Sequence, residues 1–370
     1  MAYLDIHFLN VGHGDCTIID FPGRLTVVDI NNCKAFDREV EAELRNRYTS
    51  RPALRNAFFE APLRTRLTPP PQNPLLQSAL PGLGSRPLLS PPPSPINPLL
   101  RNARGALSGG ATEADKKLEE AKGRLTNPID YLKENFKGKS IFRYIQTHPD
   151  MDHMAGLHRL WVEENFAIQN FWDTSHCISK DEAAMQTGPA KYDVRDWRAY
   201  LRLRASASNP TVLRLTNGAR ADFYQQDGIH VWAPFDHSKR NDADADPNDL
   251  SYVLCISFGA CNILLGGDAS LETWDRLYEC NGRKLPKIHL LKAPHHGRKS
   301  GYHPKAVKAM NPDYTVLSVG ELKKKDDASA TYEAISNVDC FSTVDHGNIR
   351  ARCWSNGVVD LYDHSFRQIA

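Results

Sequence analysis

The chain has 370 residues, of which 41% are hydrophobic and 24% are charged. These values are typical of a folded globular protein and exclude a wholly disordered, collagen-like or coiled-coil chain. The net charge of +2 hides an asymmetry, because residues 51–112 contain seven arginines, one acidic residue and 13 of the 24 prolines. That segment therefore carries +6, and the remaining 39 basic and 43 acidic residues give −4. The length alone predicts two or three domains.

The sequence predicts a cytoplasmic protein without a membrane segment. Asp5 and His7 lie where a signal peptide needs a basic start and an apolar run. The longest apolar stretch, 253–267, is interrupted by Ser257 and Asn262 and is typical of two buried strands rather than a membrane span. The eight cysteines are scattered without a C-x-x-C pair. This pattern favours reduced thiols in a cytosolic core over a disulfide framework or a zinc knuckle.

Short strands joined by tight turns are predicted at the start of the chain. The alternation of apolar residues over 4–11 predicts a strand with one buried face. Residues 16–21 and 25–30 predict two more strands, and 12–15 supplies turn residues between the first two. The charged segment 37–48 predicts a helix.

The segment 51–112 is predicted to interrupt this fold. Its Pro-Pro-Pro runs at 69–71 and 91–93 cannot donate backbone hydrogen bonds and favour extended polyproline II. Leucine pairs are interleaved with the prolines, so part of the segment is expected to dock on the body. Regular structure is predicted to return at Thr112, which caps the helix-favouring run 114–125.

From residue 141 onward, the pattern is that of an alternating α/β protein. Strands are predicted over 142–147, 252–258, 261–265, 287–292 and 314–319, and helices over 154–164, 270–280 and 303–310. The strands repeatedly end at His, Asp or adjacent His residues. This arrangement is typical of an α/β enzyme whose site lies at the carboxyl ends of its strands.

The densest set of metal-capable side chains follows the first of these strands. His148, Asp150, Asp152 and His153 fall within six residues, where a turning backbone can direct them toward one point. Imidazole and carboxylate ligands together suit Zn, Mn or Fe, and a mixed set of this kind tends to hold two ions. The alternative interpretation is a polar loop whose acids cap the following helix.

Two further strand ends provide candidate residues. Asp268 follows an apolar strand and two glycines that permit close backbone approach, although an ordinary turn aspartate fits the same position. His295 and His296 cannot both face the core of a continuing strand, so one is expected to bind metal and the other to meet substrate. Four residues near this pair are candidates to bind phosphate: Lys292, Arg298, Lys299 and Ser300. Cations beside metals suit a phosphate-bearing substrate, and a solvated loop is the alternative.

The order of these motifs resembles the metallo-β-lactamase fold and, more narrowly, the ComEC/Rec2-like subgroup of metallo-hydrolases. The motifs are Gly12-His-Gly-Asp15, His148-x-Asp-x-Asp-His153, Gly267-Asp268 and His295-His-Gly297. Asp150 matches the subgroup, which has H-x-D-x-D-H where typical family members have H-x-H-x-D-H. The resemblance covers residues 3–33 and 140–362 and leaves the proline-rich segment unaccounted for.

The resemblance implies an αβ/βα sandwich, in which two sheets pack face to face with helices outside. It implies one catalytic domain over 1–370, with 51–112 as a flexible insertion within it. Two divalent ions, Zn or Mn, would lie at the sheet edge. The implied ligands are His148 and Asp150 for one ion, Asp152, His153 and His295 for the other, and Asp268 as the bridge.

The first implied metal site lacks the usual third histidine. Asn248 or Asp249, which precedes the next strand, is expected to replace the missing histidine as a ligand, or to hold a ligand in place from behind. In the implied mechanism the two ions activate a water molecule, and Asp152 orients it. His296 is expected to donate a proton or to contact phosphate.

The favoured function is cleavage of DNA or RNA by a two-metal nuclease or phosphodiesterase. The alternatives are a small-molecule hydrolase of the same fold, acting on a lactone, thioester or phosphoester, and a non-catalytic binding module. The basic insertion favours a nucleic-acid partner, whereas the −4 charge of the body does not. A homodimer is compatible with the sequence.

The insertion also suggests control by proteolysis, because arginines in an exposed, proline-stiffened stretch are accessible to proteases. If the insertion covers the metal cleft, the full-length chain would be latent until an activating protease cut it. This fits the family, since some nucleases of this fold accompany proteases in prokaryotic antiviral defence. The candidate cleavage sites are Arg64, Arg66, Arg86 and Arg104. The alternative is a passive disordered insertion or a polyproline II segment that binds a partner.

Overall fold

The computed structural model describes residues 1–32, 35–36, 38–50, 112–187 and 192–370. The strands in these ranges are β1 (Tyr3–Phe8), β2 (Thr17–Phe21), β3 (Arg24–Val28), β4 (Ile141–Ile145), β5 (Ile168–Trp172), β6 (Thr211–Leu213), β7 (Ile229–Ala233), β8 (Val253–Phe258), β9 (Cys261–Leu265), β10 (Leu290–Lys292), β11 (Tyr314–Leu317), β12 (Asp339–Ser342), β13 (Ile349–Trp354) and β14 (Val359–Tyr362). The helices are α1 (Arg38–Ser50), α2 (Glu113–Gly123), α3 (Pro128–Asn135), α4 (Glu182–Thr187), α5 (Val194–Arg204), α6 (Asp222–Gln225), α7 (Leu271–Cys280), α8 (Pro304–Met310), α9 (Ser329–Ile335) and α10 (Thr343–His346).

The strands form two mixed sheets. Sheet A has the order β14-β13-β1-β2-β3-β4-β5-β6, and sheet B has the order β12-β11-β10-β9-β8-β7. The predicted meander of β1, β2 and β3 is confirmed, and β13 pairs antiparallel with β1. The pairs from β3 to β6 and from β9 to β12 are parallel. Within each parallel set, the carboxyl ends of the strands therefore meet at one edge.

Three apolar clusters separate four layers. Between the sheets, side chains such as Ile6 and Phe8 of sheet A pack with Ile263 and Leu265 of sheet B. The outer face of sheet A packs on a cluster that includes α3 and α5, and the outer face of sheet B packs on one that includes α7, α8 and α9. The predicted αβ/βα sandwich is therefore confirmed.

The helix predicted over 154–164 starts later than expected. The regular helical part begins at Leu157 and includes the wide π-type turn Arg159–Glu163. Gly156 has φ 102°, a left-handed value, and a Cβ there would lie 2.6 Å from the Cβ of Asn32. Because this φ lies outside the right-handed helical region, a continuous α-helix cannot run through Gly156 and begins only after it.

The ends of the predicted insertion lie on two packed helices. Thr112 caps α2 as predicted, because its hydroxyl accepts a hydrogen bond from the Asp115 amide at 3.1 Å while the Asp115 carboxylate accepts one from the Thr112 amide. Leu44 of α1 and Leu118 of α2 share one apolar cluster. Residues 51–111, including the four candidate cleavage arginines, lie outside the described residues.

In the described part of the chain, the helices are too short or too polar for any of them to cross a membrane.

Candidate metal centre

The candidate site lies where strands of both sheets end. Asp29 follows β3 and the 147–153 loop follows β4, so the parallel pairing of these strands brings them to one edge of sheet A. Asp268 follows β9 and the 293–297 turn follows β10, which places them at one edge of sheet B. The Gly12–Asp15 loop follows β1 and completes the site.

Four buried side chains converge here: Asp15, His153, Asp268 and His296. Each is at most 3% exposed. The Nε2 atoms of His153 and His296 lie 3.3 and 3.2 Å from the same oxygen, Oδ2 of Asp268. On its other side, Nδ1 of His296 lies 3.6 Å from Oδ1 of Asp15. Two imidazoles and two carboxylates are a donor set that suits Zn or Mn.

The site loops approach each other at Gly14. This residue has φ 133°, and an added Cβ would collide with the Asn31 side chain and with the carbonyl oxygen of Asp152. The neighbouring amide of Asp15 donates to that same carbonyl at 3.3 Å. Glycine at position 14 therefore lets the loop after β1 lie directly against the loop after β4.

The ring of His153 is oriented by Asp29. Its Nδ1 donates to Oδ2 of Asp29 at 2.8 Å, which leaves Nε2 directed at Asp268. Asp29 is fixed in turn, because its carboxylate accepts from the amide of Thr147 at 2.8 Å and from the Thr147 hydroxyl at 2.6 Å. A histidine whose second nitrogen is held by a carboxylate is the usual arrangement of a metal ligand.

The ring of His296 is oriented by backbone. Its Nδ1 donates to the carbonyl of Ser318 at 3.0 Å. His295 and His296 have φ values of 48° and 55°, left-handed conformations that cost about 1–2 kcal/mol per non-glycine residue. Such strain is found mainly at functional sites, where the surrounding structure holds the residue in place.

A second group shares His296 and lies nearer the surface. It consists of His13, Asp152 and His296, and Nε2 of His296 lies 3.6 Å from Oδ2 of Asp152. Nε2 of His13 is 3.0 Å from a guanidinium nitrogen of Arg298. The Asp152 side chain is 18% exposed, so this group opens toward solvent.

Orphaned polar atoms indicate that the four buried side chains suit a metal ion. Nε2 of His153, Nε2 of His296, Oδ1 of Asp15 and Oδ1 of Asp268 are buried without a hydrogen-bond partner. Leaving such atoms unpaired costs about 1–3 kcal/mol each, and a coordinated cation would remove that cost. The Nε2 atom of His148 is buried and unpaired in the same way.

The electrostatics of the buried group also favour a cation. Although burial lowers it, the pKa of His296 is raised well above its usual value, chiefly by Asp268 and Asp15. The pKa of His153 is raised in the same way, chiefly by Asp268 and Asp29. Although burial raises it, the pKa of Asp268 is held well below its usual value by the two histidines. The carboxylates thus create a negative field that attracts positive charge to this point.

The structure brings some predicted ligands together and separates others. The His148 ring lies 4.2 Å from that of His153, outside the four-residue group. Asp150 turns outward and accepts from the ammonium of Lys180 at 2.8 Å. Asp249 accepts from the hydroxyl of Ser270 at 2.5 Å, and Asn248 belongs to the same short turn, Pro247–Leu250.

The two adjacent histidines lie at different depths in the site. His296, the predicted proton donor, lies within the four-residue group. His295, the predicted ligand, has a 20% exposed side chain whose Nε2 lies 3.9 Å from Oδ2 of Asp268. The hydroxyl of Ser300 is 2.9 Å from Nδ1 of His295. The left-handed backbone at both positions directs one ring inward and leaves the other at the rim.

The candidate phosphate-binding residues lie at different depths. Lys292 is 3% exposed, and its ammonium donates to Oδ2 of Asp15. Arg298 is half-buried beside His13, whereas Lys299 and Ser300 are exposed. Lys292 is therefore a buried counter-ion, and the other three lie where substrate could reach them.

Sequence reasoning did not single out Asp15, His13 or Asp29 as site residues. Asp15 and His13 lie in a glycine-bounded turn between two predicted strands, a signal that could have identified them. Asp29 lies at the end of a predicted strand, as Asp268 does, and this shared position is the signal for it. The role of Ser318 depends on its carbonyl, which has no sequence signature.

Comparisons with known proteins give structural neighbours only. No protein-family model matches the chain, and no curated protein matches it. The metallo-β-lactamase fold protein YhfI from Bacillus subtilis is similar at 7% identity and a TM-score of 0.40, covering 97% of this chain and 100% of its own. Igni18, a metallo hydrolase from the archaeon Ignicoccus hospitalis, is similar at 11% identity and a TM-score of 0.41, covering 97% of this chain and 99% of its own. A variant of the CmlA β-hydroxylase has 11% identity and a TM-score of 0.39, over 94% of this chain and 54% of its own.

Proposed function

We propose that this chain is a metal-dependent hydrolase that cleaves phosphodiester bonds in DNA or RNA. The observation that supports a metal-dependent reaction is the convergence of Asp15, His153, Asp268 and His296 with their ligand atoms turned toward one another. These four residues would hold one divalent ion, Zn or Mn. The second group would complete a two-ion site, and His148 lies beside His153 of the buried group. A divalent ion would act as a Lewis acid toward a phosphoryl oxygen and make a water molecule a stronger nucleophile.

The residues around the buried group would position the substrate. Asp152, the partly exposed carboxylate of the second group, would orient the attacking water. His295, whose ring is hydrogen-bonded to Ser300 at the rim, would meet substrate. Arg298 supplies a fixed cation beside His13, and its planar guanidinium suits two phosphate oxygens. These cations and the motif resemblance to ComEC-like enzymes favour a phosphodiester over a lactone or thioester.

The experiment uses full-length protein loaded with Mn²⁺ or Zn²⁺. Plasmid, single-stranded DNA and RNA are the substrates, and the test variant is Asp268→Asn. The matched control is Asp275→Asn, because the Asp275 side chain is 72% exposed and contacts His303 rather than the metal group. Each protein is assayed before and after limited trypsinolysis of the insertion. After trypsinolysis we expect cleavage by wild type and by the control, and a loss of at least a hundredfold in Asp268→Asn. Hydrolysis of a lactone or thioester without cleavage of any nucleic acid would overturn the proposal.

The predicted insertion, residues 51–112, would keep this cytoplasmic enzyme inactive until a protease cuts the insertion. The support is compositional: seven arginines among 13 prolines within 51–112, between two helices that pack together. Limited trypsinolysis confined to this segment, followed by the nuclease assay, tests latency. We expect cleavage at sites such as Arg64 or Arg86 to raise activity. Unchanged activity after clean cutting would contradict latency and leave the nuclease proposal intact.

A further inference from the structure

A lysine-rich loop is joined to the segment that contains the two site histidines. The amide of Ala328 donates to the carbonyl of Gly297 at 3.0 Å, and the amide of Lys299 donates to the carbonyl of Asp326 at 2.8 Å. Between these bonds, Arg298 and Asp327 form an antiparallel bridge. The loop over 323–328 is therefore held in register with residues 297–299.

Four exposed lysines result from this pairing, and we call them the lysine rim: Lys299, Lys323, Lys324 and Lys325. The ammonium of Lys299 donates to the carbonyl of Lys325 at 2.9 Å and so links the two chain segments that carry the rim. Within the described residues, Lys324 and Lys325 form no ion pair with a carboxylate. The rim thus presents positive charge to solvent.

The nearby acids mostly make structural contacts. The Asp327 carboxylate accepts from the amide and the hydroxyl of Ser329, at 2.8 and 3.0 Å, at the start of α9. The Glu321 carboxylate accepts from the guanidinium of Arg47 at 2.6 Å. Asp326 and Asp327 offset two of the four rim lysines, so the rim and its loop keep a net charge of +2.

The rim lies close to the candidate metal group. Lys299 is three residues from His296, so their Cα atoms are at most about 11 Å apart. A strand whose reacting phosphate met the exposed side of the metal group would have its neighbouring phosphates within reach of these long side chains.

We infer that the lysine rim binds the sugar-phosphate backbone of a nucleic-acid strand beside the reacting bond. This inference rests on the proposed function and adds the surface that would distinguish a long polyanion from a small phosphodiester. Phosphate contacts by lysine are sequence-independent, so the rim would accept strands of any sequence.

The test measures binding separately from cleavage. Metal-loaded full-length protein is titrated with fluorescent single-stranded oligonucleotides whose phosphorothioate linkages keep the charge and resist hydrolysis, in 50–200 mM salt. The triple variant Lys323→Gln, Lys324→Gln and Lys325→Gln removes three rim charges. The matched control, Lys116→Gln, Lys137→Gln and Lys284→Gln, removes three charges from other surfaces. DNA and RNA oligonucleotides of one length form separate arms.

We expect the slope of log K against log salt to fall by about 2 in the rim variant, since each lost contact to a single strand contributes about 0.7. The dissociation constant at 100 mM salt should rise roughly tenfold or more, with the control unchanged. Equal slopes for wild type, control and rim variant would overturn the inference, even if wild type cleaves nucleic acid. A reduced slope in the rim variant, together with no cleavage by wild type before or after limited trypsinolysis, would support the rim and contradict the proposed reaction.

Discussion

Nδ1 of His153 donates a hydrogen bond to Asp29 at 2.8 Å, and this bond turns Nε2 of the same ring toward Asp268. Asp29 lies at the end of β3, and its φ of 56° means that the backbone carrying the orienting carboxylate is left-handed. The geometry of the four-residue group therefore depends on a residue that lies outside that group.

Replacing Asp29 by Asn should weaken metal binding while preserving the fold, because Asn tolerates left-handed backbone but lacks the full charge that orients His153. Loss of such an outer partner reduces metal affinity about 10–100-fold. Competition with a chromophoric chelator measures the change. Asp20→Asn is the control, since Asp20 pairs with Lys139 outside the site. Equal affinity in Asp29→Asn and wild type would contradict the orienting role.

Removing the buried cation of Lys292 should destabilise the protein through Asp15. Burial raises the pKa of Asp15, but Lys292 and His296 hold it below its usual value. Lys292→Met leaves this buried carboxylate without its cation, which costs about 3–5 kcal/mol. Urea denaturation of metal-free protein should show this loss, and the double variant with Asp15→Asn should recover part of it. If Lys292→Met and wild type have the same urea midpoint of unfolding, Lys292 and Asp15 do not form a buried ion pair.

Alanine at position 14 should disrupt the site, whereas alanine at position 23 should cost only backbone strain. Both glycines have positive φ, 133° and 80°, but a Cβ on Gly23 meets nothing within 4 Å. We expect about 1–2 kcal/mol of destabilisation for Gly23→Ala, the cost of left-handed backbone for a residue with a Cβ. Gly14→Ala should cost more and should also lower metal content, because its Cβ pushes the loops apart at Asp152. Equal effects on metal content would argue against the close approach of the loops.

Protonation of the buried His7 should destabilise the fold as the pH falls. Burial lowers the pKa of this histidine from 6.5 to about 4. Between these values the unfolded state binds more protons than the folded state, so the free energy of unfolding rises with pH. His7 should contribute about 3 kcal/mol to this rise between pH 4 and pH 7. Urea denaturation across this range should give a shallower dependence for His7→Asn, and an identical dependence would contradict the assignment.

Strand positions could be predicted because they depend on local alternation of apolar residues. The ends of β3, β4, β9 and β10 follow from such patterns, and their parallel pairing places polar residues at one edge. The pairing of Lys292 with Asp15 could not be predicted, since 277 residues separate them and nothing local couples them. A buried lysine in an apolar strand is indistinguishable by sequence from an exposed one.

The choice between His295 and His296 shows a second limit. Their order along the chain says nothing about which ring turns inward. The direction of each ring depends on the left-handed backbone conformation of both residues, which is uncommon outside glycine. The outward turn of Asp150 depends likewise on Lys180, which lies 30 residues away. The roles assigned to these residues in metal binding and catalysis stay predictions.

Metal content per chain tests the central claim most directly. Full-length wild type, Asp268→Asn and the control Asp275→Asn are incubated with Zn²⁺ or Mn²⁺, desalted and analysed by mass spectrometry of the element. We predict at least one retained ion per chain in wild type and control, and less than a tenth of that in Asp268→Asn. Equal retention in all three proteins would contradict a metal centre built on Asp15, His153, Asp268 and His296.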